Sequence, residues 1–342
     1  MQHLAILGAS LKAAFLDAPG VFDVRVTPDV EPNAGDALVR VRSVGLCGTD
    51  FSIASGRIPV AYPRVLGHEI VGELVDPGSS DLAAGTEVLV DPGQSCGTCR
   101  QCREGRTNIC TNAGLLGRDA DGGLRELLPV PSTHIHPVPR DVDTSVAPMV
   151  QVFATCVHGQ RLMPILAGET VAVVGLGVTG LLHAQLSKQA GATVIGITRS
   201  PKKRALAERL GADVTVPADG NEVTEIRRVV GDVDLVIECA GRVSTLARSI
   251  ELARVGGRIL AYGVIGWGAE GSLPYYDLYF KELAIAWARS ALPRDFDVAL
   301  ELVSARRIVL EPLVTERFRL EDTAEAFEAA SGPDALKILI DV

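Results

Sequence analysis

The stretch from Val171 to Ala190 constrains the fold more than any other part of the chain. Val171–Val174 is an uninterrupted apolar run, the pattern of a parallel strand covered on both faces. It leads directly into Gly175-Leu-Gly177-Val178-Thr179-Gly180. Val178–Ala190 then carries apolar residues at helical spacing and stops at Gly191. A Gly-x-Gly-x-x-Gly turn alone says little, but between a strand and a helix it is where a dinucleotide pyrophosphate sits. Gly175 permits the tight turn, Gly177 lets the backbone approach the phosphates, and Gly180 lets helix and strand pack closely. The helix start then offers its free amides to the anion.

The strand–helix alternation continues from about 170 to 290. Thr193–Ile197, Leu235–Cys239 and Arg258–Tyr262 read as strands. Ser200-Pro201 supplies an N-cap and a first-turn proline for a helix that runs to Leu210 and ends at Gly211. This rhythm predicts a doubly wound parallel sheet of the Rossmann kind. The end of its second strand bears on the choice of dinucleotide. NAD sites usually carry a carboxylate there for the ribose hydroxyl. Here Thr198-Arg199-Ser200 has none, and Lys202, Lys203 and Arg204 follow. Arg199 can pair with a 2′-phosphate, aided by the hydroxyls of Thr198 and Ser200. This favours NADP(H) over NAD(H), against the plainer reading of a solvated basic helix start.

Residues 11 to about 150 have a different texture. They are rich in Pro and Gly, with short alternating runs at Leu38–Val44, Ile70–Val75 and Glu87–Val90, as in an irregular β domain. The tail from about 292 places a helix near Phe296–Ser304 and strands near Phe318 and Ile338. The expected division is α/β: a β domain over 1–152, a dinucleotide domain over 153–291, and a return of 292–342 to the first.

Within the β domain, Cys96, Cys99, Cys102 and Cys110 have the spacing C-x2-C-x2-C-x7-C. Four thiolates in one short loop can close a tetrahedron around zinc with no open position, which makes a structural site in a lobe of about 92–115. Four free thiols, or an iron–sulfur cluster, are the alternatives. Seven cysteines in all, with four of them clustered, argue against a disulfide framework. Cys47-Gly48-Thr49-Asp50 and Gly67-His68-Glu69 lie upstream. Cys47 and His68 are natural ligands for a catalytic zinc, although an isolated pair of this kind is more often structural.

Cys-Gly-Thr-Asp, Gly-His-Glu, the four-cysteine loop and Gly-x-Gly-x-x-Gly occur here in that order. Gly56-Arg57-Ile58, Glu238-Cys239-Ala240-Gly241 and Phe318-Arg319-Leu320-Glu321-Asp322 accompany them. Together they resemble the medium-chain zinc alcohol/polyol dehydrogenases over residues 11–342. The resemblance implies a GroES-like β domain joined to the Rossmann domain, and hydride transfer between a nicotinamide and an alcohol or carbonyl. It implies Cys47 and His68 as catalytic zinc ligands, with Glu69 beside the metal or bound to it. Asp50 would orient the ligating histidine, and Thr49 would accept the alcohol proton. Thr155 would contact the nicotinamide, and the amides of Val178 and Thr179 would face the pyrophosphate. Ala240, Gly241, Tyr262, Gly263 and Val264 would complete the dinucleotide site.

Two positions depart from the family pattern. The third zinc ligand is usually Cys, Asp or Glu, and the matching residue is the neutral Gln151. It can ligate through its carbonyl oxygen, leave room for Glu69, or mark loss of the catalytic zinc. Ser52 replaces a histidine that often ends the proton relay. Cys156, Cys239, His134, His136 and His158 are expected to be structural.

Composition narrows the classes further. A net charge of −9 without a Lys/Arg block argues against nucleic acid. The longest uncharged apolar stretch, Val171–Ser187, carries three glycines and a histidine, so no membrane span is expected. The first ten residues lack a secretory pattern, which points to the cytoplasm. Family members form dimers or tetramers, and Tyr275–Trp287 is either such a surface or core. The leading expectation is a zinc-dependent alcohol, polyol or sugar dehydrogenase acting on a small molecule. The alternatives are a zinc-independent carbonyl or quinone reductase and an inactive dinucleotide-binding protein.

Overall fold

The computed structural model describes residues 11–27, 30–266, 268–332 and 334–342. The N-terminal ten residues, over which no secretory signal was expected, lie outside that range. Two compact units are present. One runs through Val152 and adds Leu292–Ser304 and Leu310–Val342; the other is Phe153–Ala291 with Ala305–Val309.

The first unit is built on a seven-stranded sheet. Its central strand, Asp36–Gly45, alternates in burial up to Val41, with Ala37, Val39 and Val41 turned inward. That is the period-2 pattern of a sheet with one face on the core. From Ser43 to Gly45 every residue is buried. Glu69–Asp76 pairs antiparallel on one side, with Gly45 opposite Glu69. Lys337–Asp341 pairs antiparallel on the other, with Gly45 opposite Leu339. Ile338 and Ile340 from this last strand enter the same core as Val39, Val44, Ile70 and Leu74. The C-terminal strand is therefore held by apolar burial as well as by backbone hydrogen bonds.

The second unit holds a six-stranded parallel sheet. Its order is Val214–Pro217, Thr193–Thr198, Thr170–Val174, Val233–Glu238, Ala253–Ala261 and Ala284–Trp287. Thr170–Val174 lies between the second and fourth strands of that order, where the winding reverses. Ligands of such sheets bind at the carboxyl ends of the strands at this point. Val171–Val174 is fully buried, as its continuous apolar run requires. Ala305–Val309 stays with this unit because the Gln185 side chain bonds both backbone groups of Val309, at 2.8 and 3.0 Å. The segment 292–342 is thus divided between the two units. Among the described residues, no helix is long and apolar enough to cross a membrane.

Candidate active site

Cys96, Cys99, Cys102 and Cys110 sit on a lobe made of the short helix Arg100–Arg103, the turn Thr107–Ile109 and the strand pair Gly93–Gln94 and Gly114–Leu115. Their ligand atoms all lie within 4.8 Å of one another. Sulfur–sulfur separations are 3.5 Å for Cys99–Cys102, 3.8 Å for Cys99–Cys110 and 3.5 Å for Cys96–Cys110. A tetrahedron with metal–sulfur bonds of about 2.3 Å has edges of about 3.8 Å, so the four residues fit zinc. Backbone amides point at the sulfurs: Cys99 N–H at Cys96 Sγ, Cys102 N–H at Cys99 Sγ, and Asn112 N–H at Cys110 Sγ. The Cys102 amide and its neighbours lower the Cys99 thiol to about 5. Desolvation and donation to adjacent sulfurs push Cys102 up to about 11. Cys96 is lowered as well, by the Thr98 and Cys99 amides, so Cys96 and Cys99 are the readier thiolates and Cys102 the reluctant one.

The second cluster joins Cys47, His68 and Glu69, whose ligand atoms also lie within 4.8 Å of one another. Cys47 follows the central strand and caps the helix Gly48–Ala54, while His68 directly precedes the strand Glu69–Asp76. Asp50 ties the two segments together. It is fully buried, and its carboxylate accepts from the Cys47 amide at 2.9 Å and the Gly67 amide at 3.2 Å. Its Oδ1 also lies 3.3 Å from His68 Nδ1. Burial alone would raise the Asp50 carboxyl, but His68 and the two amides outweigh it and hold it low. Burial likewise works against an imidazolium at His68, and Asp50, then Cys47, raises it well above its usual value. The group is therefore anionic at Asp50 and holds a proton readily at His68.

The carboxylate of Glu69 does not stand free beside this cluster. Lys337 Nζ donates to both of its oxygens, at 2.6 and 2.8 Å, and to Leu46 O at 2.8 Å. Both side chains are buried. Lys337 escaped the sequence reading. The available signal was a lysine heading the apolar strand Lys337-Ile-Leu-Ile, since a buried lysine demands a partner. Gln151 is 6% exposed, in the first turn of the helix Met149–Leu162. Among the described residues its side-chain amide makes no hydrogen bond. Thr49 is half-buried at the start of Gly48–Ala54. Ser52 Oγ donates to Gly48 O at 2.9 Å and lies 3.5 Å from Arg57 Nη2, so its hydrogen is already engaged.

In the second unit, Gly177 is the N-cap of the helix Val178–Gln189, so Val178 and Thr179 present the first free amides. Gly175 takes φ +91°, and a Cβ on Gly180 would run into the Gly175 carbonyl. Arg199 is exposed, and among the described residues it has no ion-pair partner. Arg204 is used differently: its guanidinium donates to Thr198 O and Arg199 O at 3.1 and 3.2 Å and braces the turn. Ser200 caps the next helix by accepting from Lys203 N at 3.3 Å.

Thr155 Oγ1 and Tyr262 Oη are hydrogen-bonded, and Cys156 Sγ lies 3.5 Å from the same oxygen. Ala240 and Gly241 are held by the buried Glu238, which accepts from both amides at 2.9 and 3.0 Å and from Thr245 Oγ1 at 2.7 Å. Tyr262 and Gly263 donate their amides to Glu238 O. Burial raises the Glu238 carboxyl against these donors. Glu238 thus fixes both loops that carry Ala240, Gly241, Gly263 and Val264, a role hidden at the end of an apolar strand.

Among the histidines, His136 Nδ1 pairs with Asp297 at 2.9 Å and its ring stacks on Phe296. His134 Nδ1 meets Asp91 O at 3.2 Å. His158 is buried. His183, fully buried, is driven down to about 3 by desolvation and stays neutral.

Residues 33–140 match the family Alcohol dehydrogenase GroES-like domain, and residues 178–305 match the family Zinc-binding dehydrogenase. The L-galactonate-5-dehydrogenase of Escherichia coli (strain K12) is 34% identical over 305 residues, covering 87% of this chain and 88% of its own. A protein described as a zinc-binding dehydrogenase from Sinorhizobium meliloti 1021, solved with NADP bound, superposes with TM-score 0.92 at 36% identity. That match covers 98% of this chain and 100% of the other. An alcohol dehydrogenase from Escherichia coli CFT073 in complex with NADH gives 0.90 at 28% identity, covering 97% and 99%. The chain belongs to the medium-chain zinc alcohol/polyol dehydrogenase family. It is an NAD(P)-dependent dehydrogenase with zinc and a nicotinamide dinucleotide as cofactors.

Proposed function

We propose that the chain interconverts a secondary alcohol of a polyol or sugar acid and its carbonyl, with NADP(H) as the preferred dinucleotide. The observation that carries this reading is the convergence of Cys47, His68 and Glu69 within 4.8 Å, bracketed by Asp50. When bound, zinc supplies Lewis acidity toward the substrate oxygen, and the nicotinamide supplies or accepts the hydride. Cys47, His68 and Gln151 hold the metal. Asp50 fixes the His68 ring and the Cys47 backbone in ligating positions. Thr49 takes the hydroxyl proton at its Oγ1. Ser52 has its own hydrogen committed to Gly48 O, so the proton leaves Thr49 chiefly by solvent. Cys96, Cys99, Cys102 and Cys110 hold a second, structural zinc. Arg199, free of any described counter-ion, receives the 2′-phosphate, which supports NADP.

The test is turnover with NADPH and NADH against sugar acids, polyols and simple alcohols, each with its carbonyl counterpart. A polyol or sugar-acid substrate used with NADPH supports the reading. Activity confined to simple alcohols, or to NADH, contradicts it.

We also propose that the chain self-associates through the edge of its parallel sheet. Among the described residues Ala284–Trp287 is an outermost strand, paired to Ala253–Ala261 alone. Its own Trp287 is 60% exposed, and Tyr276 and Tyr279 of the helix Tyr275–Phe280 are 72% and 83% exposed. An open edge flanked by exposed aromatics is a surface that a second copy of this chain can cover. Light scattering of Tyr279→Lys tests this: a shift from dimer or tetramer to smaller species supports it, and a monomeric wild type overturns it.

A further inference from the structure

Glu69 is within ligand reach of the metal centre and yet wholly occupied elsewhere. Its carboxylate oxygens both accept from Lys337, whose third hydrogen goes to the carbonyl of Leu46, the residue before Cys47. The sheet shows how this contact is made. Glu69, Gly45 and the C-terminal strand lie on three adjacent strands, with Gly45 in the middle. A Cβ on Gly45 would strike Glu69 Oε2, so the missing side chain is the gap through which the carboxylate crosses the central strand to reach Lys337.

Charge explains what the contact accomplishes. An unpaired ion in so dry a place is costly, so buried charges tend to balance locally. Zinc is balanced by the Cys47 thiolate and the Asp50 carboxylate. Glu69 and Lys337 balance each other. A neutral third ligand leaves the whole group uncharged, whereas an anionic one would leave a net negative charge. Resting on the proposed assignment of zinc to Cys47, His68 and Gln151, we propose that Lys337 is a positioning residue of the metal centre. It holds Glu69 out of the ligand set and leaves that place to Gln151.

The experiment uses cobalt(II) in place of zinc, with the spectrum of Cys47→Ser subtracted to remove the four-cysteine site. In Lys337→Met, Glu69 loses its counter-ion and joins the metal. The visible ligand-field absorption should shift as a carboxylate enters the shell beside or in place of Gln151, and metal loss to a chelator should slow by about tenfold. The double variant Lys337→Met/Glu69→Gln should return both signals toward wild type. Unchanged absorption and unchanged release in Lys337→Met would overturn the proposal, as would an effect that persists in the double variant. A crystal structure of the zinc-loaded wild type tests the same point without any variant. Gln151 Oε1 at about 2.0–2.2 Å from zinc, with the Glu69–Lys337 pair intact, supports it. Glu69 at that distance sinks it. Failure of the wild type to bind any second metal contradicts the assignment of the centre itself, a result separate from a bound metal indifferent to Lys337.

Discussion

The two cysteine-bearing centres differ in how the chain builds them. The lobe at Cys96–Cys110 draws all four sulfurs from fifteen consecutive residues, and their amides are aimed back at the sulfurs within the same loop. The cluster of Cys47, His68 and Glu69 is assembled from a helix start and a strand start, with a lysine near the C-terminus bonded to Glu69; on the proposed assignment a buried glutamine on another helix joins it. The local centre closes on itself and stabilises. The dispersed one has a charge balance that depends on residues far apart, and it has fewer anionic protein ligands. On the proposed assignment, stability and reactivity fall to separate metal sites of one protein.

The largest effects should come from breaking each centre separately. Cys47→Ser should lower kcat/KM by about 10³-fold or more while leaving the folded structure intact, since the metal contributes several kcal/mol to charge stabilisation. Steady-state kinetics and circular dichroism check this together. Cys99→Ser should do the reverse in kind. Its denaturation midpoint should fall and the lobe should become protease-sensitive, because a structural site contributes folding energy outright. If the two variants proved alike in stability and in activity, the contrast between the centres would fail.

Acidification sharpens the same comparison. The metal-free His68 has its proton affinity raised by Asp50 and Cys47. A proton therefore competes with the metal there, and affinity falls as pH falls, by about tenfold per unit below the His68 value for each proton displaced. The zinc at Cys47 should leave before the one held by four thiolates. Metal release followed during a pH titration, with Cys47→Ser as reference, reads the order. The smallest effect is expected at the dinucleotide end. Arg199→Ala should raise KM for NADPH by about tenfold and leave KM for NADH nearly unchanged, the loss of one charge-assisted contact.

How much of this was legible in the sequence follows from the same distinction. The four cysteines, the Gly175–Gly180 turn and the Ser200-Pro201 cap are local patterns, and their geometry can be read within one segment. Asp50, His68 and Cys47 were reached through family resemblance, since only the fold brings residues 47 and 68 together. Lys337 lies 268 residues from Glu69 and was not found, because strand pairing across Gly45 cannot be read from spacing. The aromatic cluster at Tyr275–Trp287 was open between core and surface, and exposure decides for surface. Glu238 was seen only as part of a motif, and its bonds to the Ala240 and Gly241 amides give it a structural reason.

Zinc at the dispersed centre is expected to activate the substrate. Zinc content and NADPH-dependent turnover should be measured on one sample during slow chelation. Two zinc ions per chain are expected at the start, with turnover falling in step with the first one lost. One zinc per chain with full turnover, or turnover that survives loss of the labile ion, would contradict it.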